Sequence, residues 1–148
     1  SEGHLAAIMN PDADGMVCAL KEYNGRVFGI QIFVRDPDYV DLEQIGPLLE
    51  NNAIFPQRAN VEFVQVVSRD HLRMRVWERG SGETFACGTG ACASLVATVL
   101  NGLCDDTATL HLLGGDLKIT WDKKENTVYM EGPAETVFTG EWQLKEEN

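Results

Sequence analysis

The run Glu78-Arg79-Gly80-Ser81-Gly82-Glu83-Thr84-Phe85-Ala86-Cys87-Gly88-Thr89-Gly90-Ala91-Cys92-Ala93 decides how this chain is read. It sets a cysteine among small residues just ahead of an apolar segment. That segment predicts a helix from about Thr89 to Leu100, with Gly102 as its stop. A thiol at a helix N-terminus meets unpaired N–H groups and the positive end of the helix dipole, and both favour the reactive thiolate. Gly88 and Gly90 let the backbone approach a ligand and aim N–H groups at an anion. Two readings of Cys87 stay open on these residues alone. It is either a base or nucleophile beside a bound carboxylate, or a small buried residue in a glycine-rich turn. Cys92 falls among Ala91, Ala93 and Leu95 and reads as core, and the C-x4-C spacing is a poor zinc pattern, so no metal is expected.

Outward from this run the chain alternates strands and turns. Ala91, Cys92, Ala93, Leu95, Val96, Ala97, Val99 and Leu100 leave the helix almost no polar face, which predicts burial on all sides by surrounding strands. Upstream, Leu72, Met74 and Val76 alternate with Arg73, Arg75 and Trp77 in a half-buried strand to Glu78, preceded by a strand over Val61–Val67. Asp41 and Gln44 form a capping pattern for a helix over Leu42–Glu50, with Leu42, Ile45, Leu48 and Leu49 as its apolar stripe and Pro47 as an irregularity. Val27–Val34 is strand-like behind a hairpin turn at Tyr23-Asn24-Gly25-Arg26. Short apolar runs at His4–Met9 and Met16–Leu20 flank a turn over Asn10–Gly15. Downstream, strands are expected over Thr107–Leu113, Asp116–Trp121, Thr127–Glu131 and Thr136–Phe138. His111 reads as structural, and His4 and His71 have no partner motif.

Composition bounds the function. The chain's 148 residues suit one domain, and 44% apolar residues is ordinary for a globular protein. A net charge of −11 excludes nucleic acid and anionic membrane surfaces as expected partners. No apolar run reaches the roughly 18 residues of a membrane span, and no signal-peptide pattern is evident. Four cysteines without a disulfide-like spacing fit a reducing cytoplasm.

The motif E-R-G-x-G-E-T-x-A-C-G-T-G-A-C-A resembles the second catalytic cysteine motif of the diaminopimelate epimerases. The likeness extends through Ile45–Asn51 and Phe55–Phe63 before it and His111–Leu117 and Gly132–Gly140 after it, roughly Ile32 to Trp142 in all. The resemblance implies an α+β fold of mostly antiparallel strands wrapped around a central buried helix. It implies no cofactor: two thiols on opposite faces of the substrate α-carbon exchange protons to interconvert the LL and meso amino acid. Inversion of a stereocentre by proton transfer needs a base on one face and an acid on the other. On this resemblance Cys87 is one of the two thiols. Gly88 and Thr89 bind the α-carboxylate through backbone N–H groups and a hydroxyl. Asn60, Glu78 and Arg79 hold the distal amino-acid end. Without it, Glu78 and Arg79 read as an exposed ion pair and Asn60 as a turn residue.

The chain also departs from the family. The first thiol's M-C-G-N-G motif is absent, and neither Cys18, in an apolar strand, nor Cys104, in a loop, replaces it. Arg26-Val27-Phe28-Gly29 stands where the family has G-N-P-H. The expectation is a C-terminal epimerase domain over residues 32–148 behind an atypical segment 1–31, inactive alone. It would be a fragment, one subunit of a split enzyme, or a chain that has lost catalysis. Its partners would be an amino-acid substrate and a missing N-terminal half or subunit, with self-association possible through the uncovered face. The other functions the residues allow are a different amino-acid racemase or isomerase of this fold, and a non-catalytic binding module.

Overall fold

The computed structural model of the chain describes residues 6–9, 17–23 and 26–143, with side chains from residue 30 onward. The turn expected over Asn10–Gly15 lies outside the described residues, as does His4. Among the described residues nine strands form one sheet: β1 (Ala6–Met9), β2 (Val17–Tyr23), β3 (Arg26–Phe33), β4 (Val61–Ser68), β5 (His71–Glu78), β6 (Gly82–Thr84), β7 (Thr107–Leu112), β8 (Gly115–Asp122) and β9 (Thr127–Glu131). Their order is β1-β2-β3-β4-β5-β7-β8-β9, with β6 paired to β5. Pairing is antiparallel except at β3–β4 and β5–β7. Both exceptions are forced by helical crossovers, since parallel neighbours need a long connection. Helix α1 (Leu42–Glu50) lies in the first and α2 (Gly88–Leu100) in the second. Tyr23 pairs with Arg26 in antiparallel register, as the expected hairpin requires, and its central residues 24–25 lie outside the described residues. β3 spans position 31/32 and pairs on both sides.

The two helices cover opposite faces of the sheet, and strand parity assigns each residue to a side. Phe33, Val64, Met74, Val76, Leu110 and Ile119 pack with Ala91, Leu95 and Ala97 of α2. Ile30, Ile32, Val61, Phe63 and Trp77 pack with Leu42 of α1. Ala91 and Leu95 are fully buried, so α2 is the central helix the apolar pattern calls for. Its burial is not complete all round, because Thr89, Ala93 and Leu100 stay exposed along one stripe. Its C-terminus is a Schellman motif: Gly102 has φ +69°, its N–H bonds the Val99 carbonyl at 2.9 Å, and Leu103 N–H bonds that of Thr98 at 3.0 Å.

Two expectations need correction. Thr136–Phe138 is not a strand; residues 132–143 lie outside regular structure, with Val137 and Phe138 more than four-fifths exposed. A strand needs a neighbour for its N–H and C=O groups, and this segment leaves the sheet at Gly132-Pro133 without one. The buried stripe of α1 is Leu42, Gly46 and Glu50, while Ile45 and Leu48 face outward. The Trp77 ring occupies the position a Gly46 side chain would take, and Glu50 is buried because it accepts the Trp77 indole N–H at 2.7 Å. The capping prediction holds: Asp41 Oδ1 accepts the Gln44 N–H at 3.2 Å.

Candidate active site at the start of helix α2

Cys87 is the N-cap of α2, in extended conformation (φ −135°, ψ 104°), with its side chain free of any capping bond. The first helical bond runs from Ala91 N–H to the Cys87 carbonyl, 2.9 Å, which leaves the N–H groups of Gly88, Thr89 and Gly90 without helical acceptors. The thiol is 6% exposed. Its Sγ accepts from Asn60 Nδ2 at 3.8 Å and lies 3.6 Å from the Thr89 hydroxyl, which is exposed at the helix mouth. Asn60 is fixed from its other end, because Oδ1 accepts the Arg79 backbone N–H at 2.8 Å. Thus three of the residues singled out from sequence, Asn60, Cys87 and Thr89, meet around one sulfur.

Glu78 and Arg79 sit at the edge of this cluster. The Thr84 hydroxyl donates to Glu78 Oε1, and Arg79 Nη1 donates to the Gln57 carbonyl at 2.9 Å. Among the described residues no ion pair joins Glu78 to Arg79, so the two side chains point to different partners. Gly88 opens α2, and a side chain added there would press on Met130 of β9 at 3.1 Å.

Sequence reasoning missed Gln31, Glu62 and Thr84. In register Gln31 pairs Glu62, Glu62 pairs Val76, and Val76 pairs Thr84, which places all four on the α2 face. Glu62 is 2% exposed, accepts from Gln31 Nε2 at 3.0 Å, and fills the space where Gly90 lacks a side chain. Burial pushes its carboxyl up to about 7, against the Gln31 bond, and the nearby Glu78 charge adds to the rise. The available signal was Glu62 standing two residues from Asn60 among the apolar residues Val61, Phe63 and Val64. The clamp behind the site was missed too. Glu50 accepts from Trp77, from Gly80 N–H at 2.9 Å and from Arg58 Nη1 at 2.9 Å, tying α1 to the turn that carries Arg79.

The other described cysteines are not equivalent to Cys87. Burial raises the Cys92 thiol, and burial beside Asp105 raises that of Cys104 to about 11. Cys104 follows the far end of α2, about 18 Å away along a thirteen-residue helix. Cys18 lies in β2 opposite Ile32. His71 and His111 stack at 5.6 Å toward the other end of β5, and His111 Nδ1 lies 2.7 Å from Asp116. No helix among the described residues is long and apolar enough to cross a membrane.

Comparison with known proteins places this geometry in a family. The family described as diaminopimelate epimerase matches residues 29–137. The diaminopimelate epimerase of Nostoc punctiforme is 63% identical over 108 residues, covering 73% of this chain and 39% of that protein. That of Acetivibrio thermocellus is 58% identical over 114 residues, covering 77% and 41%. The chain therefore spans about two fifths of the length of these relatives. Among solved structures, a phenazine biosynthesis protein of the PhzF family from Enterococcus faecalis superposes with a TM-score of 0.51 at 13% identity, over 74% of this chain and 40% of that one. At that identity the match concerns the fold alone.

Proposed function

The chain belongs to the diaminopimelate epimerase family, and from that premise we propose that it is the C-terminal catalytic half of a cofactor-independent enzyme interconverting LL- and meso-diaminopimelate. The observation that carries the reading is the cluster at the start of α2: a thiol at an N-cap, with an amide donor at 3.8 Å and a hydroxyl at 3.6 Å. In this role Cys87 serves one face of the substrate α-carbon. As thiolate it takes the α-proton, breaking C–H and forming S–H, while a second thiol delivers a proton to the opposite face. In the reverse direction Cys87 is the donor. The N–H groups of Gly88 and Thr89 and the Thr89 hydroxyl hold the α-carboxylate, which also lowers the cost of charge developing at carbon. Asn60, Glu78 and Arg79 take the distal end, Glu78 suiting an ammonium and Arg79 a carboxylate.

The second thiol comes from a partner half, in cis or as a separate chain. Burial raises the Cys92 and Cys104 thiols, Cys104 lies beyond the far end of α2, and Cys18 has no glycine cradle around it. Residues 32–148 then act as the catalytic domain, joined to the divergent segment 1–31 through β3, which runs across position 31/32. A reducing cytoplasm suits a mechanism that needs free thiols. The test is to supply the preceding half of the Nostoc punctiforme relative, fused or as a separate chain, and measure protection of Cys87 from iodoacetamide. Protection by diaminopimelate but not by lysine, which lacks the distal carboxylate, is expected. Equal protection by both, or by neither, contradicts the reading.

A further inference from the structure

The mechanism above gives no task to Glu62, the most deeply buried carboxyl against α2. It stands on β4 two residues beyond Asn60 and on the same face of the sheet. Its Oε1 lies 2.6 Å from where a Gly90 side chain would begin, so it touches the first turn of α2 from beneath. A charge there sits under the N–H groups of Gly88, Thr89 and Gly90 and opposes any anion they bind. Among the described residues, Gln31 of β3 bonds Glu62 and the Glu78 charge of β5 acts on it, while α2 carries the Cys87 thiol at its N-cap.

We propose that Glu62 is a positioning residue of the carboxylate site, which supports α2 as a neutral acid and weakens anion binding at the helix start when it ionises. The inference rests on reading the α2 N-terminus as a carboxylate site and deepens it: substrate affinity becomes tied to one buried proton. Ionisation near neutral pH agrees with the burial that pushes the Glu62 carboxyl up to about 7. A glycine at position 90 follows from the same geometry, because a Cβ there would stand 2.6 Å from Glu62 Oε1.

The experiment compares alkylation of Cys87 by iodoacetate and by iodoacetamide, quantified by peptide mass spectrometry between pH 6 and 8.5. The two reagents share one attacking thiolate, so their rate ratio cancels its population and reports the local preference for an anion. In the unmodified chain the iodoacetate preference falls about threefold or more across this range. In Glu62→Gln it stays level, because the carboxyl is gone and the amide preserves the shape. Glu78 is present in both proteins, so its contribution cancels between them. Gln31→Leu removes the bond that stabilises the ionised form, and the midpoint of the fall moves up. A level ratio in the unmodified chain, an undiminished fall in Glu62→Gln, or a midpoint in Gln31→Leu that stays or drops overturns the inference. The assay needs no turnover. A ratio that titrates while diaminopimelate fails to protect Cys87 refutes the epimerase reading alone, and a level ratio with selective protection refutes the Glu62 role alone.

Discussion

Gly46→Ala adds one methyl group at the most crowded contact between α1 and the sheet. Its Cβ would stand 2.3 Å from Trp77 Cδ2, 2.5 Å from Cγ and 2.6 Å from Cε3. The indole cannot swing aside freely, since Trp77 is 8% exposed and its Nε1 donates to Glu50 Oε2 at 2.7 Å. Overpacking costs about 1–3 kcal/mol, and losing a bond to a buried carboxylate about 1.5–3 kcal/mol. Against these stands a helix-propensity gain near 1 kcal/mol for alanine over glycine. The net expectation is a loss of about 1.5–5 kcal/mol, which lowers the urea midpoint by about 1–2.5 M at a slope of about 2 kcal/mol per M. Far-UV circular dichroism in a urea series at pH 7.5 measures it. The functional consequence follows through Glu50, which also holds Gly80 N–H and Arg58, and so the turn bearing Arg79. An unchanged or raised midpoint refutes the claim that glycine is required there by the indole.

Three further outcomes follow from named groups. Glu62 ionises less readily folded than unfolded, so its contribution is fully present below pH 4.5 and is lost as pH rises toward 7, by up to about 3 kcal/mol; denaturation of Glu62→Gln should lack this decline. Glu50 is shifted the other way, held below 4.5 by the Trp77 indole N–H despite its burial. The stability gap between the unmodified chain and Glu50→Gln should be present at neutral pH and close as pH falls below about 4.5, and a gap constant down to pH 3 speaks against it. Limited alkylation at pH 8 should label Cys87 faster than Cys92, whose thiol burial raises, and at least about tenfold faster than Cys104, whose thiol burial pushes to about 11; mass spectrometry showing equal labelling of the three contradicts the assignment.

The elements legible in the sequence are those whose signals are local. The Asp41–Gln44 cap, the apolar run of α2 and the Gly102 stop depend on residues a turn apart, and the structure has all three. What escaped depends on neighbours distant in the chain. Thr136–Phe138 has strand-forming residues, but composition does not reveal whether a partner edge is free. The apolar residues Ile45 and Leu48 promised a stripe, yet the packed face of α1 is chosen by Trp77, whose ring demands glycine at position 46 and whose N–H demands an acceptor at 50. β6, only three residues long, is too short to show a period. In the site, Cys87 was visible from its place ahead of an apolar helix, and Thr89 and Asn60 through the family resemblance. Glu62 was hidden, since a carboxylate beside Val61, Phe63 and Val64 reads as a solvent-facing residue until the register sets it under α2.

The central claim is that this chain supplies one of two thiols that act together on diaminopimelate. It is tested most directly by following deuterium incorporation at the substrate α-carbon in heavy water, with the chain alone, with the preceding half of the Nostoc punctiforme relative, and with that half plus Cys87→Ser. The account predicts rapid exchange only when the unmodified chain and the other half are together. Robust exchange by the chain alone, or by the pair carrying Cys87→Ser, would contradict it.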